Sequence, residues 1–201
     1  AHRHVVRRLA VMNAPHPAAF LRNLTAAQLR RSWYMLFFQL PALPERALSR
    51  DDYRNLRRTL TRAAVRPDTF TATDLDFYVA AMSQPGALSS ALNYYRGLLR
   101  INPVAALGRL RPIPTDLPVL LVWGERDLAL GVELTHNLGR YAENLRIEYI
   151  ADAGHWVQQE APDAVNRALL SFLPATSRAA DALPPTSSLP PTPPPRSQPA
   201  R

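Results

Sequence analysis

The sequence predicts an α/β fold in which a parallel sheet is interrupted by an all-helical insertion. Three observations predict it: a mostly apolar run opens the chain, proline-punctuated helical periodicity fills residues 20–107, and strand and helix then alternate as far as Leu173. Val5 to Asn13 holds Val5, Val6, Leu9, Val11 and Met12 and stops at Ala14-Pro15-His16-Pro17, which reads as a buried strand leaving the sheet into a loop. His16 is placed in that loop.

Four helices are expected next. Leu24 to Phe38 is the first, Asp51 to Arg62 the second with Ser49 as cap, Thr73 to Met82 the third with Asp74 and Asp76 in its first turn, and Leu88 to Arg100 the fourth. Pro41, Pro44, Pro67, Pro85 and Pro103 separate them. Beyond Pro112, Pro114 and Pro118 the pattern becomes a strand at Val119–Trp123, a helix at Val132–Tyr141, a strand at Leu145–Ile150 and a helix at Pro162–Leu173 with proline at its first position. Such alternation means parallel strands covered by helices. Three strands are few for a parallel sheet, so the chain is expected to be a fragment or to pair with something.

Composition narrows the function classes. The chain has 201 residues, 47% of them hydrophobic and 20% charged, enough for a globular core. Without cysteine it has no disulfide framework, thiolate metal site or cysteine nucleophile. No apolar run reaches the ~20 residues of a membrane span, and Ala1 to Arg8 do not lead into a signal-peptide core. The chain as given is expected to be soluble and cytoplasmic by default, with anchoring upstream of residue 1 left open. The net charge of +8 raises a nucleic-acid reading, but every basic side chain is arginine. Arg54, Arg57, Arg58 and Arg62 share a helix face with no interleaved aromatics, so a solvated face is expected and no nucleic-acid partner. His2, His4 and His136 lack carboxylates at ligand spacing, so no metal and no cofactor is expected. Of the 20 prolines, those from Pro174 to Pro199 lie among Ser, Thr and Ala, and residues 174–201 are expected to form a disordered tail.

Two loops carry chemistry. Val122-Trp123-Gly124-Glu125-Arg126-Asp127 takes a strand through a turn glycine to a carboxylate, and Asp152-Ala153-Gly154-His155-Trp156 takes the next strand to a histidine. Catalytic groups of parallel sheets gather at the carboxyl ends of strands, which puts Asp127 and His155 on one edge. An aspartate that accepts the ring N–H of a histidine sets its tautomer and stabilises its protonated form.

That order of acid and histidine after late strands resembles the C-terminal half of an α/β-hydrolase. The sharper likeness is to the epoxide hydrolases of that fold. Ser32-Trp33-Tyr34-Met35-Leu36-Phe37-Phe38-Gln39-Leu40-Pro41 resembles their first cap-tyrosine segment and Leu92-Asn93-Tyr94-Tyr95-Arg96 the second. The Asn13 to Pro17 segment resembles the entry to their cap. The resemblance implies Tyr34 and Tyr95 as donors to the epoxide oxygen, His155 as the base that activates water, and Asp127 as its partner. It also implies Trp33, Phe38, Tyr94 and Trp156 as pocket wall or packing, a lipophilic epoxide as substrate and no cofactor.

The family's nucleophilic aspartate, in an Asp-Trp-Gly word, and its His-Gly-x-Pro oxyanion word do not occur in the 201 residues. The chain is therefore expected to hold a core strand (1–17), a helical cap (18–111), a C-terminal core part (112–173) and the tail, with an N-terminal portion missing and no activity alone. The alternatives are a haloalkane dehalogenase or other ester hydrolase of the same fold, which would not need both tyrosines, and a non-catalytic binding fragment.

Overall fold

A computed structural model describes residues 5–100, 113 and 116–174. The proline-rich tail beyond Pro174, the segment 101–112 and the expected boundary at 111 lie outside the described residues. Among the described residues three parallel strands form the sheet in the order β1 (Leu9–Met12), β2 (Val119–Gly124), β3 (Leu145–Ile150). Leu9 pairs with Val119 and Val119 with Leu145, so the carboxyl ends of all three strands share one edge.

β2 is the central strand and every residue of it is buried, which explains a continuous apolar run where a half-exposed strand would alternate. Leu120 and Val122 face one side, against Ala153, Val157, Val165, Ala168 and Phe172. Leu121 and Trp123 face the other, against Ala19, Leu134 and Leu138. Leu120 is wholly inaccessible. Leu120→Ala is expected to lower unfolding free energy by about 2–5 kcal/mol. Urea titration checks this: the midpoint falls while the slope stays the same.

Between β1 and β2 the described residues form α1 (Pro17–Arg22), α2 (Ala26–Arg31), α3 (Trp33–Phe37), α4 (Leu43–Ala63), α5 (Ala72–Met82) and α6 (Ala87–Arg100). After β3 come a single turn, α7 (Val157–Glu160), and α8 (Pro162–Phe172). The last two strands and α5, α6 and α8 match their expected ranges to within a residue or two. α5 opens on a capping box, with Thr71 and Asp74 each bonding the other's backbone N–H.

Four expectations are corrected. The first strand is four residues long rather than nine, because its ladder follows β2 and β2 begins only after Pro118; Leu9 N–H already bonds the Pro118 carbonyl at 3.0 Å. The helix expected at Leu24–Phe38 is two helices meeting at Ser32. Gln28, with no exposed surface, holds the join: its amide donates to Ser32 Oγ and the Ala129 carbonyl and accepts from Gly131 N–H. The helix expected from Asp51 starts at Leu43, and Asp51, Asp52 and Tyr53 form a left-handed kink inside it (φ 51°, 52° and 56°), so Ser49 caps nothing. The expected Val132–Tyr141 helix is two 3₁₀ turns, Val132–Thr135 and Leu138–Arg140, separated by Asn137 at φ 57°. His16 is also more than a loop residue: its ring accepts the Ala18 N–H to cap α1 and stacks on Tyr141 at 4.5 Å.

Candidate active site

Asn13, Asp127 and His155 lie just beyond the carboxyl ends of β1, β2 and β3 respectively. The turn after β2 requires glycine at 124, since a Cβ there would stand 2.3 Å from the Gly154 carbonyl oxygen. This close approach brings the acid loop against the histidine loop. Arg126 N–H bonds the Ala153 carbonyl at 3.0 Å and fixes their relative height.

The Asp127 carboxylate is fully covered and accepts four hydrogen bonds. Oδ1 takes the N–H groups of Ala129 (2.7 Å) and Leu130 (2.9 Å); Oδ2 takes Asn13 Nδ2 (2.7 Å) and faces His155 Nδ1 at 2.8 Å. Donors on every side keep Asp127 an acceptor, so Nδ1 of His155 carries the proton and Nε2 is left as an unprotonated acceptor. The His155 side chain keeps 29% of its surface exposed.

In the sequence Asn13 stands out only as the end of the first strand and the start of the cap-entry segment, not as a site residue. Its Oδ1 accepts Gly124 N–H at 2.9 Å, which fixes the amide orientation and aims Nδ2 at Asp127. Its backbone φ of 39° is tolerated by asparagine more readily than by most residues. The one sequence signal was an asparagine directly after an apolar strand. Asn13→Ala leaves a buried carboxylate oxygen and a buried N–H each short of a partner. The expected loss is about 1–3 kcal/mol of stability, read by chemical denaturation.

Tyr34 on α3 and Tyr95 on α6 meet edge to face, with ring centroids 5.8 Å apart. Phe38 packs against both, at 5.6 and 5.0 Å. The two helices are tied by Arg96, whose guanidinium donates to the Phe38 and Leu40 carbonyls and forms a forked pair with Glu45 at 2.7 and 3.1 Å. Burial pushes the Tyr34 phenol up to about 12, helped by Tyr95 and then by the charge of Asp127. Burial and then Tyr94 raise Tyr95 as well. Both phenols therefore stay protonated donors through neutral pH, and the field of Asp127 reaches Tyr34.

Trp156 packs its ring on His155 at 5.2 Å and on Phe70 at 5.8 Å. Trp33 and Tyr94 are mostly exposed. A cleft of about 400 Å³ opens beside Asp127, lined by Arg31, Ala64, Val65, Glu125, Arg126 and Leu128. A second, apolar cavity of about 210 Å³ lies at the β1 side against His16 and Tyr141, away from the Asp127–His155 pair.

No protein-family model matches the chain. It is 35% identical over 184 residues to human epoxide hydrolase 4, covering 88% of the chain and 49% of the relative. It is 37% identical over 179 residues to Xenopus tropicalis epoxide hydrolase 3, covering 86% and 47%. A crystal structure of Bacillus megaterium epoxide hydrolase in complex with an inhibitor superposes with a TM-score of 0.72 at 27% identity, over 85% of this chain and 62% of that one. The chain thus spans about half the length of the curated relatives it matches.

Proposed function

From the premise that the chain belongs to the epoxide hydrolases of the α/β-hydrolase fold, we propose that it supplies the cap tyrosines and the acid–histidine pair for hydrolysis of a lipophilic epoxide to a vicinal diol. The observation that carries the proposal is the pairing of two half-buried phenols with a histidine whose Nδ1 is held by Asp127. Opening an epoxide develops negative charge on the ring oxygen. Tyr34 and Tyr95 are neutral donors held together, suited to bind that oxygen and protonate it as the C–O bond breaks.

In the proposed reaction a carboxylate attacks the ring carbon, forming an alkyl ester and leaving the oxygen protonated by a tyrosine. His155 Nε2 then takes a proton from water as that water attacks the ester carbonyl; the acyl C–O bond breaks, the imidazolium gives its proton to the departing diol oxygen, and the carboxylic acid proton returns to the tyrosinate, which restores carboxylate and phenol. The Asp127 carboxylate stabilises the imidazolium formed in that step. Residues 18–111 serve as the cap and 112–173 as part of the core. Phe38 and Trp156 contribute apolar wall, with Trp33 and Tyr94 at its margin.

The attacking aspartate is proposed to come from a portion of the protein outside these 201 residues. Purified 201-residue chain is expected to give no epoxide turnover, while a longer form carrying the nucleophile turns epoxide into diol. Product analysis of both tests this. Diol formation by the 201 residues alone would refute the assignment of an external nucleophile, and ester or haloalkane turnover in preference to epoxide by the longer form would refute the substrate class.

A further inference from the structure

Glu160 closes the one-turn helix α7 and is buried to 2% exposure, yet among the described residues it forms no ion pair. Its carboxylate instead gathers three backbone donors. Oε1 accepts the N–H groups of Gly154 (3.1 Å) and Trp156 (3.2 Å), the residues on either side of His155. Oε2 accepts the N–H of Val65 at 2.7 Å, in the turn where the chain leaves α4. We propose that Glu160 is a positioning residue that holds His155 against Asp127 and couples that pair to the end of α4.

The chemistry requires a carboxylate. Three N–H groups converge on two oxygens, so an acceptor-only group satisfies all of them, whereas an amide would turn its NH₂ toward at least one. The surroundings leave no slack: a Cβ at Gly154 would lie 2.8 Å from Val65 Cγ2 and 3.1 Å from Glu160 Oε1. A second tie runs parallel, from Trp156 Nε1 to the Leu60 carbonyl at 3.1 Å. Displacement of the α4 end is therefore transmitted to both neighbours of His155, and the length of its bond to Asp127 depends on the helical insertion.

The inference rests on the proposed role of His155 as base, but its test reads the pair and not turnover, so the two can fail separately. In ¹⁵N-labelled 201-residue chain, the His155 Nδ1–H proton is followed by NMR as a low-field signal protected by Asp127. Glu160→Gln is expected to speed exchange of that proton by about tenfold or more while the amide spectrum stays dispersed. Val65→Pro deletes the α4-side donor and follows an extended Ala64 (φ −86°, ψ 143°) that suits a residue before proline. It is expected to act in the same direction. Folded variants with an unchanged Nδ1–H signal would overturn the proposal and leave Glu160 a purely structural residue. If neither variant folds, amide exchange in the wild-type chain decides: Gly154, Trp156 and Val65 are expected to open together, and a spread of about tenfold or more among them would overturn the coupling.

Discussion

Replacing both Tyr34 and Tyr95 by phenylalanine is expected to lower epoxide turnover by about 10²–10⁴-fold in a form of the protein that carries the nucleophile, with each single replacement losing less. The reason is geometric. The rings stand 5.8 Å apart and share Phe38 as a neighbour, so either hydroxyl can serve one oxygen when the other is gone. Phenylalanine keeps those ring contacts, so the loss falls on the chemical step and not on the fold. Tyr34 titrates only near pH 12. Its ionisation therefore imposes no limit on activity at neutral or mildly alkaline pH. Because its folded value lies above the unfolded value near 10, the stability linked to it is complete below pH 10 and fades as pH rises toward 12. Stopped assays of the single and double variants across pH 7–9 measure this, and rates equal to wild type would remove the two-donor mechanism.

The second large effect falls on His155. His155→Gln removes the proposed water-activating base but leaves both phenols in place, so on the proposed route the first step proceeds and the second stalls. Steady turnover is expected to fall by about 10²–10⁴-fold, with epoxide consumed in a burst equal to the enzyme concentration and no matching burst of diol. Asp127→Asn is expected to fail in the same step, because an amide that donates to Nδ1 imposes the wrong tautomer. A loss without a burst would place His155 in the first step instead.

The part of the site legible in the sequence was the part announced by chain grammar. Asp127 and His155 each follow a short apolar strand and a glycine, and parallel pairing alone sends such residues to one edge. The tyrosines are different: only the resemblance of their two segments pointed to them, since periodicity gives two aromatic residues in separate helices no sign that they will meet. Their juxtaposition depends on Arg96 reaching the carbonyls at the end of α3, a contact no periodicity encodes. Asn13 and Glu160 were illegible for a related reason. Asn13 reads only as the end of the first strand, and nothing in the sequence marks Glu160, two residues before the proline-led helix, as a buried acceptor. Only the folded chain turns the first toward Asp127 and buries the second among backbone donors. The missed helix boundaries share this cause, for the Ser32 join serves the buried amide of Gln28 and the kink at Asp51–Tyr53 uses left-handed backbone that aspartate tolerates.

The most direct test of the proposed chemistry is intact-protein mass spectrometry of the His155→Gln variant, in the form that carries the nucleophile, after mixing with an epoxide. Attack by a carboxylate, with a tyrosine protonating the opened oxygen, adds the whole epoxide and loses nothing. The expected spectrum shows a protein heavier by the full epoxide mass, and hydroxylamine removes the adduct because it is an ester. Diol formed with no adduct in this variant, or an adduct that resists hydroxylamine, would contradict the ester route and with it the roles assigned to His155 and Asp127.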